Sequence, residues 1–227
     1  MQKLFLEIIA TSLDDVMRIN DSEASRIELC ADMAADGLSP SQALIAQVTE
    51  VSRLPVRIMI RPTGRDFVFT ADEYAEMRRL IAFVKTTRAE GVVLGILEPS
   101  REIDLQRTAE LVALASPLPV TFHRAIEYVR DQASSFRQLQ ALGVQSVLSS
   151  GHASPLAEKL PLLKELNAMV SPQLIVGGGI TERDISILAQ AGILCIHLGR
   201  AVRENNSYAH PILPAKISRC IVEPLPD

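Results

Sequence analysis

An α/β fold of eight parallel strands closed into a barrel, each strand followed by a helix, is what this chain of 227 residues predicts. Three observations predict it. Eight short runs rich in Val, Ile and Leu recur along the chain, each followed by a stretch with apolar residues at helical spacing, the one-dimensional signature of parallel strands buried on both faces. Several runs end in polar or glycine residues, at Cys30, Arg61, His123, Ser149-Ser150-Gly151, Gly177-Gly178-Gly179 and His197-Leu198-Gly199. The carboxyl ends of barrel strands are where such folds place their sites. The length suits one barrel of ~250 residues or slightly fewer, and no linker, low-complexity segment or charge block divides the chain. Residues 1–227 therefore read as a single TIM-type (β/α)8 domain with a short or irregular last helix. An open doubly wound sheet is the competitor, but no G-x-G-x-x-G follows the first strand.

Each element has its own signal. Leu4 to Ile9 is the first strand, and Ser12 caps a helix running to Asn20. Arg26 to Cys30 is the second strand; Ser39, with Pro40 at the first helical position, opens a helix to about Arg53. Val56 to Ile60 follows, then a polar loop from Arg61 to Phe67, and Thr70-Ala71-Asp72-Glu73 starts a helix with acidic residues in its first turn, ending near Gly91. The fourth strand spans Val92 to Leu97, the next helix Asp104 to Ala115, and the fifth strand Val120 to His123. Phe136, Leu139 and Leu142 line a helix that stops at Gly143; Val144 to Leu148 and Pro155 to Met169 form the sixth strand and helix. Leu174 to Val176 is the seventh strand, Thr181 caps a helix closing at Gly192, and Ile193 to Leu198 is the eighth strand. Gly91, Gly143 and Gly192 read as helix C-caps. Pro211, Pro214, Pro224 and Pro226 break up the tail, leaving Ala215 to Val222 as a short closing helix.

Composition excludes several function classes. With 48% hydrophobic and 22% charged residues and a net charge of −4, the chain lacks the excess of clustered Lys and Arg that nucleic-acid binding needs. The first apolar run is interrupted by Glu7 and followed by Asp14-Asp15, so neither a secretory signal nor a membrane span is predicted. Three widely spaced cysteines, Cys30, Cys195 and Cys220, form no disulfide framework and point to the reducing cytoplasm.

Strand alternation sorts the interior. Helix-facing positions must be apolar, so Ile27 and Leu29 face the helices and Arg26, Glu28 and Cys30 face inward. By the same alternation Glu7, then Arg57, Met59 and Arg61, then Thr121 and His123 point into the barrel. An unpaired buried charge costs roughly 3–5 kcal/mol, so these groups must pair, and Glu7 and Glu28 against Arg57 and Arg61 is the expected arrangement. It serves either as a structural ion network or as a site. The glycine turns supply backbone N–H groups for an anion, with Ser150, Gly151, Gly178, Gly179, Gly199 and Arg200 as its candidate ligands. No zinc signature is present. A soft Cu(I) site could draw on Cys30, Met33, Met59 and His123 at the mouth, or Cys30 is simply an inert buried thiol. Cys195 and His197 share one face of the eighth strand.

The segments Arg26-Ile27-Glu28-Leu29-Cys30, Gly37-Leu38-Ser39-Pro40-Ser41, Arg61 to Phe67, Thr121 to Ala125, Val147 to Gly151 and Gly177 to Ile180 occur in this order, and in them the chain resembles the CutC family, named for copper homeostasis. The resemblance implies a TIM-type barrel, a cytosolic and homo-oligomeric protein, and copper as ligand, with Cys30 and His123 as candidate ligands of Cu(I). It also matches Glu28, Arg61, Asp66 and His123 to the family's polar mouth. Ile8-Ile9-Ala10 stands where some members carry cysteines, Glu127 where aspartate is usual, and the tail after Arg203 is shorter than in many relatives. A copper homeostasis protein is thus the expected function. The alternative is an enzyme on a small anionic, phosphorylated substrate, with Glu7, Glu28, Arg61, Asp66, His123 and Arg124 as catalytic candidates. There Arg61 and Arg124 neutralise the anion and Glu28 or His123 transfers a proton.

Overall fold

Apolar side chains on the outer face of every strand have to be covered, and the helices that cover them bring successive strands side by side. In the computed structural model, which describes residues 4–152, 155–169 and 171–221, the strands close in sequence order into one parallel barrel. These are β1 (Phe5–Ala10), β2 (Arg26–Leu29), β3 (Val56–Met59), β4 (Gly91–Leu94), β5 (Val120–Phe122), β6 (Ser146–Ser149), β7 (Gln173–Val176) and β8 (Cys195–Leu198). The helices are α1 (Leu13–Asn20), α2 (Gln42–Val51), α3 (Ala71–Val84), α4 (Leu105–Ala115), α5 (Gln132–Ala141), α6 (Leu156–Asn167), α7 (Glu182–Gln190) and α8 (Pro214–Arg219). β1 closes the ring by pairing with β8 from Phe5 opposite Cys195 to Ile8 opposite Leu198. The main core lies between barrel and helices, with Ile8, Ile27, Leu29, Ile58, Phe122 and Ile196 among its members.

Local capping chemistry sets most helix starts. Ser12 accepts from the Asp15 N–H, Asp104 from Arg107, and Thr70 and Glu73 exchange hydrogen bonds in a capping box. Several boundaries differ from expectation; β6 and β8, for instance, begin at Ser146 and Cys195 and not at Val144 and Ile193. α2 is capped by Ser41, because Ser39 is engaged by the segment that leaves β3: its hydroxyl accepts from the Arg61 N–H at 2.7 Å and its own N–H donates to the Arg61 carbonyl. α3 ends at Val84, well before Gly91, and Gly91 is the first residue of β4 rather than a C-cap. β4 stops at Leu94, so Leu97 lies in the following loop. Gly143 and Gly192 do adopt positive φ just past α5 and α7. The tail helix starts one residue earlier than expected and ends at Arg219; Val222 falls outside the described residues.

Inside the barrel the packing is divided. Ile9, Cys30, Met59 and Val93 form one small apolar cluster on the β1 to β4 side, with Met33 and Tyr208 packed against it. Leu148, Ile175 and Cys195 form another on the β6 to β8 side. Polar side chains occupy the space around them.

Candidate functional site

At the foot of the interior, Arg57 is buried and donates through Nη1 to Thr121 and, at 2.7 Å, to Ser146, while its Nε reaches Glu90 at 2.9 Å. Above it, Glu7 accepts from Arg26 Nε at 2.6 Å and pairs with His197 Nδ1 at 2.8 Å. His197 Nε2 lies 3.7 Å from Glu28, whose second contact is the Cys30 thiol, donating to Oε2 at 3.2 Å. The expected pairing of Glu7 and Glu28 with Arg57 and Arg61 does not form. Glu7 stands beside Arg26 on one neighbouring strand and His197 on the other, so it is satisfied sideways along the sheet. Arg61 is held by main-chain carbonyls of Ala35, Asp36 and Gly37 at 2.9–3.2 Å.

Charge balance arises from these contacts. Burial would raise the Glu7 carboxyl, but the His197 hydrogen bond and the Arg26 charge overcome it and bring it down to about 2. Burial likewise works against a charged His197, yet Glu28 and Glu7 raise its pKa. Glu28 is pushed up, chiefly by burial and also by Glu7. Donor atoms of Glu7, Glu28 and His197 lie within 4.8 Å of one another, close enough to share a cation. With Arg26 and His197 facing Glu7 and Glu28, the cluster also holds together as a polar network of its own, and its oxygen-rich donor set does not suit Cu(I).

The mouth above this network opens into a cavity of about 1210 Å³ lined by Glu28, Cys30, Met33, Met59, Arg61 and His123 among others. His123 follows β5 and caps the next 3₁₀ turn, its Nδ1 accepting from the Ala125 N–H at 3.2 Å. The hydrogen is therefore on Nε2, which has no partner. Burial first, and the Arg61 charge second, bring the imidazole down to about 3, so the ring is a neutral donor. To ligate a metal through Nε2 it would have to shift its proton onto Nδ1, against the Ala125 N–H, which argues against His123 as a copper ligand. Burial pushes the Cys30 thiol well up, and Glu28 adds to this. Its sulfur and that of Met33 each lie 3.7 Å from where a Cβ on Gly37 would stand, which groups the two at one edge of the cavity.

Two of the candidate anion ligands are engaged by the protein through their N–H groups. The Ser150 N–H donates to Glu127 and the Gly151 N–H to the Ser149 hydroxyl. A Cβ on Gly199 would collide with the Tyr208 hydroxyl, so that glycine makes room for a tyrosine of the tail. Gly178 packs against the Arg124 guanidinium, and Arg124 is itself neutralised by Glu127 at 2.8 and 3.0 Å and by Asp36 at 3.3 Å. Gly178, Gly179, Gly199 and Arg200 all border the cavity. Asp66 accepts from the Val68 N–H in a loop turn and is exposed and absent from the cavity wall. Sequence alternation alone singled out neither Phe67 nor Tyr208, and it noted His197 only as a neighbour of Cys195. His197 shares the inward phase of β8, so the period-two pattern could have placed it with Glu7; Tyr208 had no such signal.

A family model described as the CutC family matches residues 4–202. The chain belongs to the CutC family. It is 36% identical over 195 residues to the mouse copper homeostasis protein cutC homolog, covering 85% of this chain and 72% of that one. It is 34% identical over 209 residues to the family protein CutC of Klebsiella pneumoniae (strain 342), covering 91% and 85%. A crystal structure of the CutC protein from Streptococcus agalactiae superposes with a TM-score of 0.81 at 30% identity, covering 86% of this chain and 98% of that one. The tail that brings Lys216 and Arg219 to the cavity, and Tyr208 against the small apolar cluster, lies beyond the CutC-matched residues. Among the described residues no helix is long and apolar enough to cross a membrane.

Proposed function

We propose that this CutC-family chain is a copper homeostasis protein that takes up Cu(I) at the barrel mouth through Cys30, with the thioethers of Met33 and Met59 beside it. The observation that carries this reading is the gathering of three sulfur side chains in one apolar cluster at the cavity wall. Thiolate and thioether donors select Cu(I), and an apolar shell keeps water from competing. Cys30 has to lose its proton to bind, and its thiol already donates to Glu28, a carboxylate placed to receive it. Copper is the cargo in this reading. The mouse relative's name supports it, and the unbridged thiols of Cys30, Cys195 and Cys220 fit the reducing cytoplasm.

The test is competition for Cu(I) against a chromogenic chelator under reducing, anaerobic conditions. One Cu(I) per chain is expected, with Cys30→Ser losing at least 100-fold in affinity, ~3 kcal/mol. Cys195→Ser and His123→Asn should keep it. Full affinity in Cys30→Ser would reject the site.

A further inference from the structure

We infer that the wall of the cavity between β3 and β5 binds the anionic oxygens of a small carboxylate or phosphate compound, held by the Arg61 guanidinium and the His123 Nε2–H. This goes beyond copper and rests on different atoms.

Arg61 is buried, with 4% of its surface exposed, and makes no ion pair among the described residues. Its Nη1 is consumed by the three loop carbonyls, while Nε has no partner and Nη2 makes no hydrogen bond among the described residues. Nε and Nη2 form one edge of the guanidinium, the edge that takes two oxygens of a carboxylate or phosphate side by side. A cation buried without an anion is costly unless something brings one. His123, 3% exposed, also lines the cavity, and its Nε2–H is a buried donor without a partner.

Both side chains pack against one ring. Arg61 Cζ stands 4.8 Å over Phe67, and the His123 ring is centred 4.9 Å from it. Phe67 is buried, so both groups are pre-oriented. Because His123 is neutral, the pair carries one positive charge and calls for one negative one. Across the cavity, Glu28 Oε1 is also unpartnered, an acceptor suited to a hydroxyl on the same compound. Arg124, by contrast, is already paired with Glu127 and Asp36, so the guanidinium edge left without an anion is that of Arg61.

Calorimetry on the full chain, metal-free and reduced, in a buffer without carboxylates, sulfate or phosphate, tests this with three probes: malonate, inorganic phosphate and glycerol 3-phosphate. Proton–nitrogen correlation spectra of histidine-labelled protein follow the same titrations. At least one probe should saturate with a Kd below about 1 mM, the affinity of a small ligand with few contacts, and shift the His123 Nε2–H resonance downfield. Tighter binding of malonate assigns the site to carboxylates, and of glycerol 3-phosphate to phosphate esters. Arg61→Met should weaken binding at least tenfold. His123→Asn, whose side-chain oxygen can still accept from the Ala125 N–H, should weaken it several-fold and serves as well if Arg61→Met does not fold. Both should keep Cu(I) uptake, so loss of Cu(I) binding alone would count against the copper site and not this one. No saturable binding of any probe, or binding that leaves the His123 resonance unmoved, overturns the inference.

Discussion

A buried neutral imidazole packed against an aromatic ring makes the folded state sensitive to acid in a defined direction. His123 is lowered from 6.5 to about 3, by burial first and Arg61 second, so between those values the unfolded chain binds a proton that the folded chain does not. Stability must then fall as pH drops below 6.5, by up to about 1.4 kcal/mol per unit. Urea unfolding at pH 7 and pH 5 should show wild type losing about 2 kcal/mol relative to His123→Asn; an unchanged difference would refute the assignment. His197 acts in the other sense. Its pKa is raised above 6.5, with burial opposing and Glu28 and Glu7 prevailing, so its contribution is complete below 6.5 and is lost as pH rises through the folded value. Glu7, held at about 2 against burial by His197 and Arg26, contributes above 4.5 and is lost as pH falls towards 2. The three windows are separable in substitution series because they differ in sign or range.

At the level of elements, β4 shows how space for the site is made. The strand and its exit run Gly91-Val92-Val93-Leu94-Gly95, with the two glycines in phase. A Cβ on Gly91 would stand 2.6 Å from the Pro119 carbonyl oxygen and 3.3 Å from Arg57 Nε, and one on Gly95 would stand 2.5 Å from His123 Cε1 and Nδ1. Bulk on β4 is thus traded for the close approach of the chain entering β5 and for the His123 ring that leaves it. Gly95→Ala should displace His123 and its cap on Ala125, costing about 1–3 kcal/mol as an overpacked core does, and should abolish the Nε2–H shift expected on anion binding. Thr70→Ala, which removes half of the α3 capping box, should cost ~1 kcal/mol and leave the mouth untouched. Thermal unfolding of the two variants beside wild type checks the contrast.

For the whole molecule, ring closure depends on the segment after β8. β7 and β8 share a single register pair, Val176 with Ile196, whereas β1 and β8 share four. The β1 side is locked by Arg203, just past β8, which donates to Asp15 of α1 at 2.6 and 3.0 Å and is 2% exposed. Both partners are buried, so removing one strands the other. Arg203→Met should cost roughly 3–5 kcal/mol, and the double variant Asp15→Leu/Arg203→Met should cost less than the two single changes added together. Strict additivity in a double-mutant cycle would show that the pair does not couple the barrel's ends. The same tail carries Tyr208 over Gly199 and against the sulfur cluster, so closure of the barrel and shape of the cavity are linked.

Residue order along the chain is enough to specify the eight alternating units, most helix caps and the inward phase of Glu7, Glu28, Arg57, Arg61, Thr121 and His123. Those features are local: a cap is settled by residues three apart, and a strand's facing by a period of two. Ser39 shows the limit, since two serines could cap α2 and only the contact with the segment that leaves β3 selects Ser41. Which inward groups meet depends on how the barrel closes in three dimensions. Glu7 and His197 lie 190 residues apart in sequence and 2.8 Å apart in space, because closing the ring brings the first strand to the last. Closure likewise left Arg61 and His123 with unspent donors at one aromatic ring, and no pattern of spacing along a chain records which buried atoms end without a partner.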